Sequence, residues 1–109
     1  MKKEQTAKVP RSMTMIEPRF RAVYKAFYKE TYFRPTTLDS KTKELIAIGV
    51  SAAVKCEGCL EGHIRKALEY GATKNEISDA LVVAVGIAAA GVIDFSDKAA
   101  RKLAIHHFE

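Results

Sequence analysis

The sequence predicts an all-α fold, and three features predict it. Apolar and aromatic residues recur at three- and four-residue spacing after Pro18. A glycine and a capping signal punctuate residues 71–76. Small and aliphatic residues form a broad helical stripe from Ile77 to Gly91. Met1 to Met15 is polar and contains Pro10, so it is expected to be loosely held. Helix one opens soon after Pro18, which suits a first-turn position because its missing N–H would have no intrahelical partner. Phe20, Val23, Tyr24, Phe27 and Tyr28 make its apolar stripe, expected in the core and assigned no cofactor. Arg34-Pro35-Thr36-Thr37 reads as a linker, and Asp39 or Ser40 caps a second helix that reaches about Val54. The third helix starts at Cys56 and runs to Tyr70, where Gly71 is expected as a left-handed cap. Thr73-Lys74-Asn75-Glu76 reads as a capping box that opens the fourth helix.

Ile77, Ala80, Leu81, Ala84, Val85, Ala88 and Gly91 form the stripe of that fourth helix, and Val82, Val83 and Ile87 carry apolar surface round its other sides. This is more than a small monomer readily hides, so a homo-oligomer is expected. Gly86 and Gly91 would each cost about 1 kcal/mol relative to alanine inside a helix. Either another backbone comes close or the helix breaks near Gly91, with Asp94 or Ser96 opening a last helix through Leu103. The expectation is a bundle of about five to six helices with a long apolar helical hairpin. His106 and His107 fall in a solvated tail.

Composition bounds the function classes. At 109 residues and 48% hydrophobic content, the chain makes one domain, 1–109, with a modest core, near the size where oligomerisation often adds stability. The net charge of +5 comes from 18 basic and 13 acidic residues. From Glu57 onward the basic residues are interleaved with acids, and no basic run is flanked by stacking aromatics, so no nucleic acid partner is expected. Met1-Lys2-Lys3 is followed by no apolar run, which argues against a secretory signal. The longest apolar run, Ala80 to Ile93, has 14 residues, too short to span a bilayer. A cytoplasmic protein with no membrane partner is expected, and its reducing surroundings favour catalytic or metal-binding cysteines over a structural disulfide.

The two cysteines form a Cys56-Glu57-Gly58-Cys59 run, followed four residues later by His63 and preceded twelve residues earlier by Glu44. On a helix, positions 56, 59 and 63 share one face, so two sulfurs and an imidazole converge. Cysteines three apart at a helix start can close a disulfide, and Gly58 leaves the backbone room to adjust. The helix dipole favours a thiolate in the first turn by roughly 0.3–1 kcal/mol. At about 1.4 kcal/mol per pKa unit, that is too little to generate a thiolate alone, and His63 is the candidate partner. If the preceding helix turns back near Lys55, residue 63 lies roughly opposite residue 48. Glu44 is then about one turn away at ~5.4 Å per turn, a gap its side chain or one water could cover, and it could orient His63 or relay its proton.

Other readings of these residues stay open. Cys56, Cys59 and His63 with His106 or His107 could form a zinc site. The cysteines could be small core residues, or the pair could sense redox state without turnover. Glu44 could be only a first-turn charge that suits the helix dipole.

Glu44, Cys56, Cys59 and His63, with the Glu-Leu-Ile-Ala-Ile-Gly-Val-Ser-Ala-Ala that starts at Glu44 and the Gly71-Ala72-Thr73-Lys74-Asn75-Glu76-Ile77 downstream, resemble the core of the carboxymuconolactone decarboxylase and alkyl hydroperoxidase D superfamily. The match runs from about Leu38 to Leu103. The resemblance is to short, single-unit members, since no internal repeat occurs. It implies an all-helical fold that assembles into trimers or hexamers, and an activity that is either thiol peroxidation or decarboxylation of a muconolactone-type small acid. Cys-x-x-Cys marks the peroxidase-like branch. The resemblance makes Cys59 the thiol that attacks a hydroperoxide, Cys56 the resolving thiol, and His63 with Glu44 a proton relay. It suggests an external dithiol, of lipoyl type, that restores the pair, and no cofactor is expected. Gly58 departs from the pattern, since the best-known peroxidase of the family has a relay histidine immediately before its second cysteine.

Overall fold

The computed structural model describes residues 13–106 and Phe108. The expectations for Met1 to Ser12, including Pro10, and for His107 lie outside those residues. Among the described residues the structure is all-helical, with four helices: α1 (Pro18–Tyr32), α2 (Ser40–Ala53), α3 (Glu57–Glu69) and α4 (Lys74–Lys102). The chain divides after Thr36 into two compact units, the first holding α1 and the second α2 to α4.

In the first unit, Pro18 sits at the start of α1 as expected, and the Phe33 N–H closes the last turn on the Lys29 carbonyl. Tyr24, Tyr28 and Tyr32 stack along one side with ring centroids 6.4 and 4.7 Å apart, and Phe33 meets Tyr28 edge-on at 5.6 Å. The stripe is not core, contrary to the reading above. No residue of α1 is buried, and Phe20, Val23, Tyr24 and Phe27 are all exposed. A single helix can shield its aromatics only against their own i+4 neighbours.

The second unit is built on α2. Asp39 is its N-cap, accepting the Thr42 N–H at 2.8 Å, and those hydrogen bonds to Thr42 hold its carboxyl below the ordinary range. Glu44, Ala47, Ile48 and Ser51 fall on one face of α2 and are buried. Ile48 packs with Ala67 and Ala72, surrounded by Leu45, Leu60, Ile64, Ile77, Ala80 and Leu81. α2 packs against both α3 and α4. Gly49 allows the second contact to be close, since a Cβ there would lie 3.3 Å from the Ala80 carbonyl oxygen.

Two chain reversals fix how α3 is placed. Gly71, at φ +88°, ends α3 in a Schellman motif: its N–H reaches the Leu68 carbonyl at 3.0 Å and the Ala72 N–H reaches Ala67 at 2.9 Å. The same hydrogen-bond pattern ends α2, with Lys55 N–H on Ala52 at 3.2 Å and Cys56 N–H on Ser51 at 2.9 Å. There the left-handed position, φ +60°, is held by Lys55 and not by glycine. The capping box of α4 is present in both directions, with Thr73 N–H to Glu76 Oε1 at 2.9 Å and Glu76 N–H to Thr73 Oγ1 at 3.0 Å. Lys41 of α2 reaches Glu76 Oε2 at 3.0 Å and ties the two helices. The Thr73 N–H, and after it Lys41, hold the Glu76 carboxyl below its usual range.

α4 corrects two expectations. It runs unbroken through Gly86, Gly91, Asp94 and Ser96, so the last expected helix is the distal part of α4. Ser96 does not cap; its hydroxyl donates back to the Ile93 carbonyl at 2.8 Å. A Cβ at Gly86 or Gly91 would meet nothing within 4 Å, so among the described residues no backbone approaches them closely. Glycine weakens a helix but, set among apolar residues and with no proline, does not stop it. Unbroken, α4 is also longer than its apolar core. It is long and apolar enough to cross a membrane by length and composition, with a mean hydropathy of 1.9 in its most apolar stretch. Its 29 residues span about 44 Å against about 21 Å for α2. Val85, Ile87, Val92, Ile93 and Phe95 are exposed.

Candidate active site

The reversal at Lys55 places the two cysteines at the entrance of α3. Cys56 is the N-cap residue, in extended backbone, and Cys59 lies in the first helical turn. The Cys56 N–H is held by the Ser51 carbonyl of α2, and the Cys56 carbonyl accepts the Leu60 N–H at 2.9 Å, the bond that starts α3. The cysteines form a disulfide with Cα atoms 5.2 Å apart. Cys56 is half-buried and Cys59 is exposed.

His63 follows one turn beyond Cys59 on the buried side of α3. Because α3 returns along α2, its ring meets Glu44, and Nδ1 lies 2.7 Å from Glu44 Oε1. The contact is direct, with no gap for a water to bridge. Both residues lie within the protein, Glu44 1% and His63 6% exposed. A buried carboxylate so placed fixes the ring orientation and, when ionised, accepts the Nδ1 proton. The pattern is a carboxylate that orients an imidazole, which stands one helical turn from a sulfur.

The four residues singled out in the sequence therefore belong to one junction of α2 and α3. Glu44 is not merely a first-turn charge in solvent, since it is buried against His63. His106 is exposed and lies beyond α4, and among the described residues no group of three or more His, Cys, Asp or Glu side chains could hold a metal ion. Two further residues matter whose part the sequence did not show, although a turn near Lys55 is expected from it. Lys55 makes the left-handed turn that delivers Cys56, and Ser51 supplies the carbonyl that receives it. Neither carries a local signal, because the left-handed position is ordinarily recognised by glycine or asparagine. Gly58, by contrast, is not required by space, since a Cβ there would meet nothing within 4 Å.

An apolar groove of about 560 Å³ lies between α2 and α4, along Leu45, Gly49, Val50, Ala80, Val83 and Ile87. None of the four site residues lines it. The dithiol chemistry and this groove are separate features of the second unit.

Comparison with known proteins bears on the whole arrangement. Residues 18–102 match the model of the carboxymuconolactone decarboxylase family. An uncharacterised protein encoded in the cox locus of Paracoccus denitrificans is 37% identical over 67 residues, 62% of this chain and 60% of that protein. An uncharacterised protein of Methanocaldococcus jannaschii is 38% identical over 74 residues, 65% of this chain and 71% of that protein. The chain thus spans less than two thirds of the Paracoccus relative.

Proposed function

Because the chain belongs to the carboxymuconolactone decarboxylase family, we propose that it is a thiol-dependent peroxidase or disulfide reductase that uses Cys59 and Cys56 to reduce hydroperoxides. The observation that carries this reading is the buried Glu44–His63 hydrogen bond of 2.7 Å set one helical turn from a cysteine pair that closes a disulfide. A structural role for the cysteines would call for no imidazole and carboxylate of this kind nearby.

In the proposed cycle the Cys59 thiolate attacks one oxygen of the hydroperoxide and the O–O bond breaks. Cys59 becomes a sulfenic acid, and the alkoxide takes a proton to leave as an alcohol. His63 exchanges the protons while Glu44 holds its ring. The Cys56 thiol then attacks the sulfenic sulfur, water leaves, and the Cys56–Cys59 disulfide forms. An external dithiol, of lipoyl type, returns two electrons. The proposed setting is the reducing cytoplasm, where such a pair is regenerated, and the proposed assembly is a homo-oligomer, trimeric or hexameric.

The family's eponymous activity, together with Gly58 at the place of a relay histidine, favours one second reading: decarboxylation of a muconolactone-type small acid. The two separate on one variant. Consumption of cumene hydroperoxide with dihydrolipoamide as donor is expected in the unaltered protein and is expected to vanish in Cys59→Ser. Decarboxylation that persists in Cys59→Ser, with no peroxide consumption by either protein, would replace the first reading with the second.

A further inference from the structure

We propose that the dithiol that reduces the Cys56–Cys59 disulfide attacks the sulfur of Cys59 and expels Cys56 as the leaving thiolate; this assignment rests on the redox reading above. Access distinguishes the two cysteines. A thiolate attacks a disulfide in line with the S–S bond, from the side opposite the sulfur that leaves, so the attacked sulfur must face solvent. Cys59 is exposed, whereas Cys56 is half-buried at the α2–α3 junction. The backbone of Cys56 is also held on both sides, by its N–H on Ser51 and its carbonyl under the Leu60 N–H. Lys55, at φ +60°, closes the turn immediately before it. Cys56 is thus the anchored member of the pair and Cys59 the presented one.

The fate of the expelled sulfur points the same way. Cys56 occupies the N-cap position of α3, yet in the disulfide its side chain makes no capping hydrogen bond. Once released, its thiolate stands where N-cap side chains accept the N–H of the second or third helical residue, here Gly58 or Cys59. The helix dipole at that end favours the same negative charge. A sulfur that leaves into such a position leaves faster.

The electrons balance over two exchanges. In the first, the donor thiolate bonds to Cys59 Sγ, the Cys56–Cys59 bond breaks and its electron pair remains on Cys56. In the second, the donor's other thiolate attacks the donor sulfur of the mixed disulfide, and Cys59 leaves as a thiolate. The donor becomes an intramolecular disulfide, the protein gains two electrons, and the donor's two thiol protons are transferred to the protein or to solvent.

The test uses the oxidised full chain and the monothiol glutathione, which forms the mixed disulfide but has no second thiol for the second exchange. Samples are acid-quenched on the sub-second scale, alkylated with N-ethylmaleimide and cut with a glutamate-specific protease. Cleavage after Glu57 and Glu61 separates the two cysteines, and the ratio of adducts is extrapolated to zero time so that migration between them does not count. Glutathione on the Gly58–Glu61 peptide, with Cys56 alkylated, is expected in about ten-fold excess over the reverse, a difference of about 1.4 kcal/mol. Equal amounts, an excess on Cys56, or a disulfide that resists millimolar glutathione altogether would overturn the assignment. No hydroperoxide takes part, so a reversed ratio overturns this assignment alone, and a failure to consume peroxide counts only against the redox reading.

Discussion

Removing the Glu44 carboxylate takes from Nδ1 of the buried His63 the oxygen that lies 2.7 Å from it. Leaving a buried polar group unsatisfied costs about 1–3 kcal/mol, so Glu44→Ala is expected to lower the urea midpoint by that equivalent and to slow peroxide-driven thiol oxidation. Glu44→Gln keeps an oxygen that can accept from Nδ1. It should recover more than half of the stability while activity stays depressed, and equal stability losses in both variants would show that the negative charge, not the shape or a neutral acceptor, stabilises the site. Gly58 allows the opposite experiment. Since a Cβ there meets nothing within 4 Å and replacing a helical glycine stabilises by up to about 1 kcal/mol, Gly58→His should fold. It is expected to raise the rate of peroxide consumption by about ten-fold, short of the ~10²-fold that general acid–base groups often supply. The convergence of Cys56, Cys59 and His63 was legible because one helix carries all three and its period is known. Glu44 needed a second helix to return at the right register, which spacing suggested but could not fix to a direct contact. Lys55 was not legible, because nothing in its side chain announces a left-handed backbone.

The helix ends control how these side chains arrive. Lys55 at φ +60° bears a left-handed penalty of about 1–2 kcal/mol that glycine escapes. Lys55→Gly is therefore expected to raise stability by about 1 kcal/mol in urea unfolding, and a loss would mean that the lysine side chain contributes more than the backbone strain removes. Caps also set the acid limit of the second unit. Thr42 holds the Asp39 carboxyl below its ordinary 3.8, and Thr73, then Lys41, hold Glu76 below its ordinary 4.5. A carboxyl with a depressed folded pKa stabilises the fold above its unfolded value, and this is lost as pH falls through the folded one. The melting temperature should therefore decline below about pH 4.5. Asp39→Asn with Glu76→Gln should flatten that decline, and an unchanged pH profile would exclude these caps as its source. The caps were readable because Asp39, Gly71 and the Thr73–Glu76 box are local chemistry. The length of α4 was not, because whether a helix passes through Gly91 depends on its neighbours more than on one residue's propensity.

At the scale of the whole molecule, the all-α class followed from periodicity, but the place of its apolar faces did not. Phe20, Val23, Tyr24 and Phe27 of α1 were read as core and are exposed, as are Val85, Ile87, Val92 and Phe95 of α4. A helix shows in its sequence that a face must be covered, without showing what covers it. The proposal is that further copies of the chain cover α4, and light scattering after size exclusion is expected to give a trimer or hexamer. Val92→Asp with Phe95→Asp should shift it to smaller species, whereas a monomeric unaltered protein would contradict the proposal. The central claim, that these two cysteines perform a peroxide-driven dithiol cycle, is tested most directly by the intact mass of the reduced protein after a single addition of organic hydroperoxide. The unaltered chain should lose two hydrogens along with both thiols, Cys56→Ser should gain one oxygen on Cys59, and Cys59→Ser should reduce no peroxide. Peroxide reduction by Cys59→Ser at the rate of the unaltered chain would contradict it.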